Sequence, residues 1–138
     1  MIILDTNVIS ELMRAQSSER VLSWMSEQDG ANLYIASVTA AELRLGVALL
    51  PAGKRQADLS KALEEMLSEE FRDRVLPFDA QAAHAYAAIV VVRRSLGAPI
   101  SAFNAQIAAI AAVHGAKLAT RNIRDFVDCG TTLINPWD

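Results

Sequence analysis

The chain opens Met1-Ile2-Ile3-Leu4-Asp5-Thr6-Asn7, an apolar run that ends abruptly in an acid. The run is too short for a helix, and its isoleucines are stiff at χ1 and favour extended backbone, so it reads as a buried first strand. Asp5-Thr6-Asn7 then makes the turn. From Val8 to Glu11 and from Ser18 to Ser26 the pattern is helical, with Val21, Leu22 and Met25 at helical spacing until Asp29-Gly30 breaks it. Leu33 to Val38 (LYIASV) predicts a second strand. Thr39-Ala40-Ala41-Glu42 matches the T-x-x-E box that opens a helix, here running to about Leu50. Pro51-Ala52-Gly53 ends it, and Lys54 to Phe71 is amphipathic, with Leu59, Leu63, Met66 and Leu67 on one face. Arg74 to Phe78 predicts a third short strand, which Pro77 confines to a sheet edge or to its own end. Asp79 caps an Ala-rich helix to Leu96. Ser101 caps another through Val113, closed by His114-Gly115. Lys117 to Thr120, a turn of helix at Ile123 to Phe126 and a last strand at Thr132 to Ile134 complete the series.

Strands that alternate with helices predict an α/β sandwich with one mostly parallel sheet. In such sheets ligand sites form beyond the carboxyl ends of the strands. Asp5, Thr6 and Asn7 follow the first strand, and Ser37, Thr39 and Glu42 follow the second. Thr120, Arg121, Asn122 and, slightly beyond, Asp125 follow the Lys117 strand, and Asn104 joins them if the first turn of the Ser101 helix faces the same edge. These are oxygen-rich side chains, suited to a hard divalent cation such as Mg²⁺ or Mn²⁺.

Composition narrows the classes. With 138 residues, 52% hydrophobic and 21% charged, the chain suits one globular domain with its own core. Cys129 is the only cysteine, which excludes an intrachain disulfide and a multi-thiolate zinc site and fits a reducing cytoplasm. His84 and His114 stand alone, without the spacing of an imidazole site, and read as structural. The longest apolar runs, Ala85 to Val92 and Ile107 to Val113, fall short of the roughly 20 residues that span a bilayer, and no signal peptide is expected. A net charge of −3 argues against coating nucleic acid by bulk positive charge, yet leaves room for a local site that handles phosphates through a metal. Neither a phosphate-cradling glycine loop nor the G-x-S-x-G of a serine hydrolase occurs.

Four separated stretches together resemble PIN-domain ribonucleases, and most closely the VapC and FitB toxins of type II toxin–antitoxin systems. They are Ile3 to Glu11 (ILDTNVISE), Ser37 to Val47 (SVTAAELRLGV), Ala119 to Phe126 (ATRNIRDF) and Ile134 to Trp137 (INPW). The resemblance covers essentially the whole chain as a single PIN domain, 1–138. It implies a PIN-like three-layer sandwich, a mostly parallel sheet of four to five strands flanked by helices. It further implies a Mg²⁺- or Mn²⁺-dependent endoribonuclease, a homodimer, neutralisation by a VapB-type antitoxin, and contact with operator DNA only through that antitoxin. The antitoxin's tail is expected across the groove, with an arginine among the acids.

By the same resemblance Asp5 matches the family's first acid, a metal ligand, and Glu42 the second, projecting from the first turn of its helix. The third acid falls in a motif read as F-D-A-x-I-A-A, where this chain has Phe103-Asn104-Ala105-Gln106-Ile107-Ala108-Ala109. Asn104 stands where the family has aspartate. The fourth position stays open between Asn122 and the carboxylate of Asp125. An amide keeps one carbonyl acceptor but carries no charge, so the chain is expected to fold and dimerise while cleaving RNA weakly or not at all. The alternative is a non-catalytic member that acts by binding antitoxin and repressing its own operon. Asn7, Thr120, Asn122 and Arg121 are candidates for positioning substrate or water.

Each candidate also has a plainly structural reading. Glu42 can be only the capping partner of Thr39, Asp5-Thr6-Asn7 only a turn, Asn104 only a polar residue behind a cap, Thr120 only a strand residue, and Asp125 only a local cap. Arg121 and Arg124 can meet RNA phosphates or simply be solvated, as most of the dispersed arginines, Arg14, Arg44, Arg93 and Arg94 among them, are expected to be. Trp24 and Trp137 read as packing residues, with Asn135-Pro136-Trp137 anchoring the last strand. A receiver domain would need an aspartate at a strand end near mid-chain, where Lys54 to Phe71 is helical, and a haloacid-dehalogenase phosphatase would need D-x-D where this chain has Asp5-Thr6-Asn7.

Overall fold

A computed structural model describes residues 1–138. Strand β1 (Ile2–Leu4), the opening apolar run, lies at the centre of a five-stranded sheet, flanked by β2 (Leu33–Ala36) and β4 (Lys117–Ala119). The register sets Ile2 against both Leu33 and Lys117, and Leu4 against Ala119. Strand β3 (Val75–Leu76) adds to the outer edge of β2 and β5 (Leu133–Ile134) to that of β4, and every pairing is parallel. The order is β3-β2-β1-β4-β5. A central parallel strand is covered on both faces, which is why β1 is apolar at every position. Pro77 follows the edge strand β3, where its missing N–H interrupts no ladder.

Helices α1 (Thr6–Leu12) and α2 (Glu19–Ser26) connect β1 to β2, α3 (Ser37–Ala48) and α4 (Lys54–Glu65) connect β2 to β3, and α5 (Ala80–Ser95) and α6 (Ala102–Val113) connect β3 to β4. Successive β1 side chains point to opposite faces. Ile2 and Leu4 join Val8, Ile9, Val21, Leu43 and Leu63 in one apolar cluster beneath α1 to α4. Ile3 joins Ile89, Ile107, Ile110, Leu118 and Phe126 in a second beneath α5 and α6. The result is the expected three-layer α/β sandwich.

Several local signals hold. Asp79 accepts a hydrogen bond from Ala82 N at 2.9 Å and Ser101 accepts one from Asn104 N at 3.1 Å, so both cap their helices. Gly115, at φ +60°, ends α6, with Ala116 N donating to Ala111 O at 2.9 Å.

Others need correction. Asp5-Thr6-Asn7 is no free turn, because Asp5 is the N-cap of α1 and Thr6 and Asn7 lie inside it. The T-x-x-E box does not cap α3. That helix starts at Ser37, straight off β2, with no side-chain cap, and Thr39 lies within it. The reason is tertiary: Thr39 is fully buried and its hydroxyl accepts from Thr6 Oγ1 at 3.4 Å, so it is drawn toward α1 rather than to its own backbone. Glu42 therefore projects from the second turn of α3. The helix predicted from Lys54 to Phe71 leaves α geometry at Met66–Glu70, a π turn in which Phe71 N donates to Met66 O at 3.0 Å. Widening that turn sets Met66, Leu67 and Phe71, all buried, against the core together.

Candidate active site

Asp5 ends β1 and begins α1, so its carboxylate is held at the carboxyl edge of the central strand. Its Oδ1 accepts from Thr6 N at 2.8 Å, and its Oδ2 accepts from Thr120 Oγ1 at 2.7 Å and from Asn7 Nδ2 at 3.2 Å. The network then ties the ends of β1 and β4 together. Asn7 Oδ1 accepts from Arg121 N at 3.3 Å, and Thr120 Oγ1 accepts from Asn122 N at 3.0 Å. Thr120 is fully buried, and its hydroxyl aims the Asp5 carboxylate.

Burial pushes the Asp5 carboxyl above its ordinary value, reinforced by the negative charge of Asp125, and the hydrogen bonds from Thr120, Thr6 and Asn7 only partly offset the rise. Glu42 is also raised, by burial first and by the charge of Asp5 second. Glu42 thus feels the charge of Asp5 across the edge. Asp5, Asn7, Glu42, Asn104, Arg121 and Asn122 line one cleft of about 460 Å³, together with Ser10, Glu11, Arg14, Phe103 and Trp137. Asp125 is not among its lining residues. It sits exposed on the short 3-10 turn Ile123–Phe126 and acts on the cleft only through its charge. Arg124, on the same turn, does not line the cleft either.

Ser10, Glu11 and Arg14 went unpredicted as cleft residues. Ser10 and Glu11 lie three and four residues after Asn7 on one face of α1, and Arg14 follows just beyond its end, a pattern visible only once the helix is extended back to Thr6. Glu11 is buried, and its carboxylate is paired with Arg14 at 3.1 Å. Trp137 is more than an anchor. It packs against the core beneath α1 to α4 and also lines the cleft, with the Arg121 guanidinium 5.2 Å from its ring centre.

Arg93 also departs from expectation, for it is buried rather than solvated. Its Nε donates to Ala98 O at 2.6 Å, and its Nη1 donates to Asp125 O at 2.8 Å and Val127 O at 3.0 Å. One guanidinium therefore ties the α5–α6 connection, which leads to Asn104, to the segment that carries Asn122 and Asp125. Cys129 lies beside it, its thiol pushed up by burial while Arg93 opposes the shift.

No three acids or imidazoles come together at a spacing suited to a metal ion. Asp5, Glu42 and the Asn104 carbonyl supply two carboxylates and one neutral oxygen. That set fits Mg²⁺ or Mn²⁺, which use one or two carboxylates and complete their shell with water or phosphate oxygens. It does not fit zinc.

The raised carboxyls make a linkage prediction. A carboxyl raised in the folded chain contributes stability that is full below its unfolded pKa and is lost as pH rises through the folded value. Glu42→Gln removes that loss. In chelator, the variant matches wild type at acid pH and becomes slightly more stable at neutral pH, the effect being small because Glu42 is solvent-screened. Mn²⁺ at neutral pH reverses the order. Thermal unfolding of both proteins from pH 3.5 to 8 checks this, and parallel profiles would refute it.

Comparisons with known proteins agree with this geometry. The PIN domain pattern matches residues 2–129. VapC ribonuclease Y4jK of Sinorhizobium fredii is 42% identical over 138 residues, spanning 100% of this chain and 99% of its own. Toxin FitB of Neisseria gonorrhoeae is 42% identical over 137 residues, spanning 99% of each. The solved structure of FitAB bound to an IR36 DNA fragment superposes with a TM-score of 0.96 at 40% identity, covering 100% of this chain and 96% of that one. With an acidic cleft at the carboxyl ends of a parallel sheet and likeness along its full length, the chain belongs to the PIN-domain family, alongside the VapC and FitB proteins.

Proposed function

We propose that this chain is the toxin half of a toxin–antitoxin pair and an RNA phosphodiesterase dependent on Mg²⁺ or Mn²⁺, its activity lowered by Asn104. The observation that carries this reading is the pair of raised carboxyls, Asp5 and Glu42, facing one cleft with the uncharged Asn104 in its wall. Asp5, Glu42 and the Asn104 carbonyl would hold the cation, which when bound supplies charge neutralisation and an acidified water. The chain's own part is preorganisation. Thr6, Asn7 and Thr120 hold Asp5 in one orientation before any substrate arrives, and Arg121, exposed at the rim, offers a cation to a phosphate.

A larger groove of about 1240 Å³ shares Thr6, Ser10, Arg14 and Glu42 with the cleft and runs on between α1 and the α3–α4 hairpin, past Met13, Leu43, Val47, Lys54 and Arg55. Its mix of apolar wall and basic rim suits the antitoxin's tail. Exposed Val91, Val92 and Leu96 on and just beyond α5 suit a second copy in a homodimer. Operator DNA is reached through the antitoxin, as the FitAB complex with DNA suggests by likeness. No helix is long and apolar enough to cross a membrane, and the site of action is the cytoplasm, where RNA is at hand.

The second reading, a non-catalytic protein acting through its antitoxin, is favoured by Asn104 itself. RNA cleavage separates the two. The Asn104→Asp protein, incubated with total RNA and Mn²⁺, is expected to yield discrete cut ends that vanish with chelator or on adding Asp5→Asn. A folded Asn104→Asp protein that cuts nothing would leave only the binding reading.

A further inference from the structure

We propose that Arg121 and Trp137 form a stacking platform for one unpaired base of a single-stranded RNA, with the amide of Asn122 beside it to read its edge. This rests on the cleft being an RNA site, and it adds how the strand is gripped. Arg121 lies over the Trp137 ring, 5.2 Å from its centre, and both line the cleft that contains Asp5 and Glu42. The indole is held in place. Trp137 N donates to Asn135 Oδ1 at 2.9 Å, and the ring rests on the core beneath α1 to α4. The base of the Arg121 side chain is held too, by the bond from Arg121 N to Asn7 Oδ1 at 3.3 Å.

The Arg121 guanidinium has no carboxylate partner, although acids are near; the ion pairs of the chain are Arg14 with Glu11, Arg44 with Glu64 and Lys54 with Asp58. It is therefore left as an exposed flat cation backed by an aromatic ring. Unpaired bases stack on such aromatic and guanidinium planes. The amides divide in a telling way. Asn7 spends its side chain inside the protein, on Asp5, Thr120 and the Arg121 backbone, whereas the side chain of Asn122 makes no hydrogen bond to the chain, and only its backbone N–H and C=O are engaged, with Thr120 Oγ1 and Asp125 N. One unspent donor–acceptor pair thus flanks the stacking surface. The net charge of −3 gives the strand little electrostatic grip, and stacking supplies affinity without it. The platform requires an unpaired base, since a base inside a duplex has both faces covered.

The chain has two tryptophans, Trp24 and Trp137, so Trp24→Phe leaves the platform as the sole tryptophan emitter. The probe is a labelled ten-nucleotide RNA without secondary structure, in chelator, beside an abasic strand of the same length. RNA is expected to quench Trp137 emission over the range in which its own anisotropy rises, while the abasic strand binds about tenfold more weakly and quenches nothing. Trp137→Leu should lose about tenfold in affinity, Trp137→Phe should keep most of it, and Arg121→Lys should fall between. RNA that binds without quenching Trp137, and equally well to Trp137→Leu, overturns the platform and leaves the RNA reading intact. No binding of either strand overturns both. Should Trp137→Leu fail to fold, the emission arm still decides.

Discussion

Replacing Asn104 by aspartate is expected to raise the affinity of the chain for Mn²⁺ by between about ten- and a hundredfold. The cleft holds Asp5 and Glu42, both raised by burial, with the charge of Asp125 adding to the rise at Asp5 and the charge of Asp5 to that at Glu42. A third carboxylate adds a full charge where a neutral carbonyl now stands. A unit charge a few ångströms from a cation, at an effective dielectric near 20, is worth about 3 kcal/mol, or two orders of magnitude in affinity, and desolvation subtracts part of that. Two consequences accompany the gain. Without metal the variant should be less stable than wild type at neutral pH, since three mutually repelling acids replace two, and the deficit should disappear at acid pH, where all are protonated. With Mn²⁺ the order should invert. Titration calorimetry in parallel with thermal unfolding reads both, and equal Mn²⁺ affinity in the two proteins would remove position 104 from the cation site. Asn122→Asp should add less, because Asn122 is more exposed.

Arg93→Met should lower the unfolding free energy by about 3 kcal/mol and Tm by about 10 °C. Arg93 is 4% exposed and has no carboxylate partner, so its value lies in the carbonyls it satisfies at Ala98, Asp125 and Val127. Methionine matches much of the volume but abandons those acceptors, and each buried unpaired group costs about 1–3 kcal/mol unless water reaches it. Lysine keeps the charge but cannot reproduce the fork, so Arg93→Lys should fall between. The effect should also reach the cleft. The loop that Arg93 pins carries Asn122 and Asp125, so in an Asn104→Asp background Arg93→Met should weaken Mn²⁺ binding as well. Urea unfolding measures the first effect, and a loss under about 1 kcal/mol would mean that water replaces the guanidinium.

What could be read ahead of the structure divides by the range of the interaction. The caps at Asp79 and Ser101 were legible because each is a bond between a side chain and a backbone N–H three residues on. Thr39 looked like a third such cap, and its hydroxyl instead meets Thr6, 33 residues away. Thr120 looked like a strand residue or a phosphate holder, and it bonds Asp5, 115 residues away. A hydroxyl is a local cap or a distant tether depending on which partner the fold delivers, and the residues near it in sequence do not decide that.

The strand-end rule brought Asp5, Glu42, Asn104, Arg121 and Asn122 into view, and the cleft gathers all of them. It could not bring in Trp137, whose role as an anchor and as a cleft wall differ only in where β5 leaves the chain relative to β4. Nor could it separate Arg93 from the other arginines, since burial of a guanidinium is a property of what packs over it.

By itself, then, the sequence determined the alternation of strand and helix, the buried apolar strand β1, a third strand that Pro77 confines to an edge or to its own end, and the residue types available at the strand ends. Those follow from periodicity, propensity and proline chemistry, which act over a few residues. Only the tertiary structure decided that Asp5 is aimed by Thr120, that Asp125 stays outside the cleft, that Glu11 and Arg14 lie within it, and that Trp137 and Arg121 stack at its edge. Each of those is a contact whose loop-closure cost is met only when the whole sheet assembles, so no local stretch of the chain can specify it.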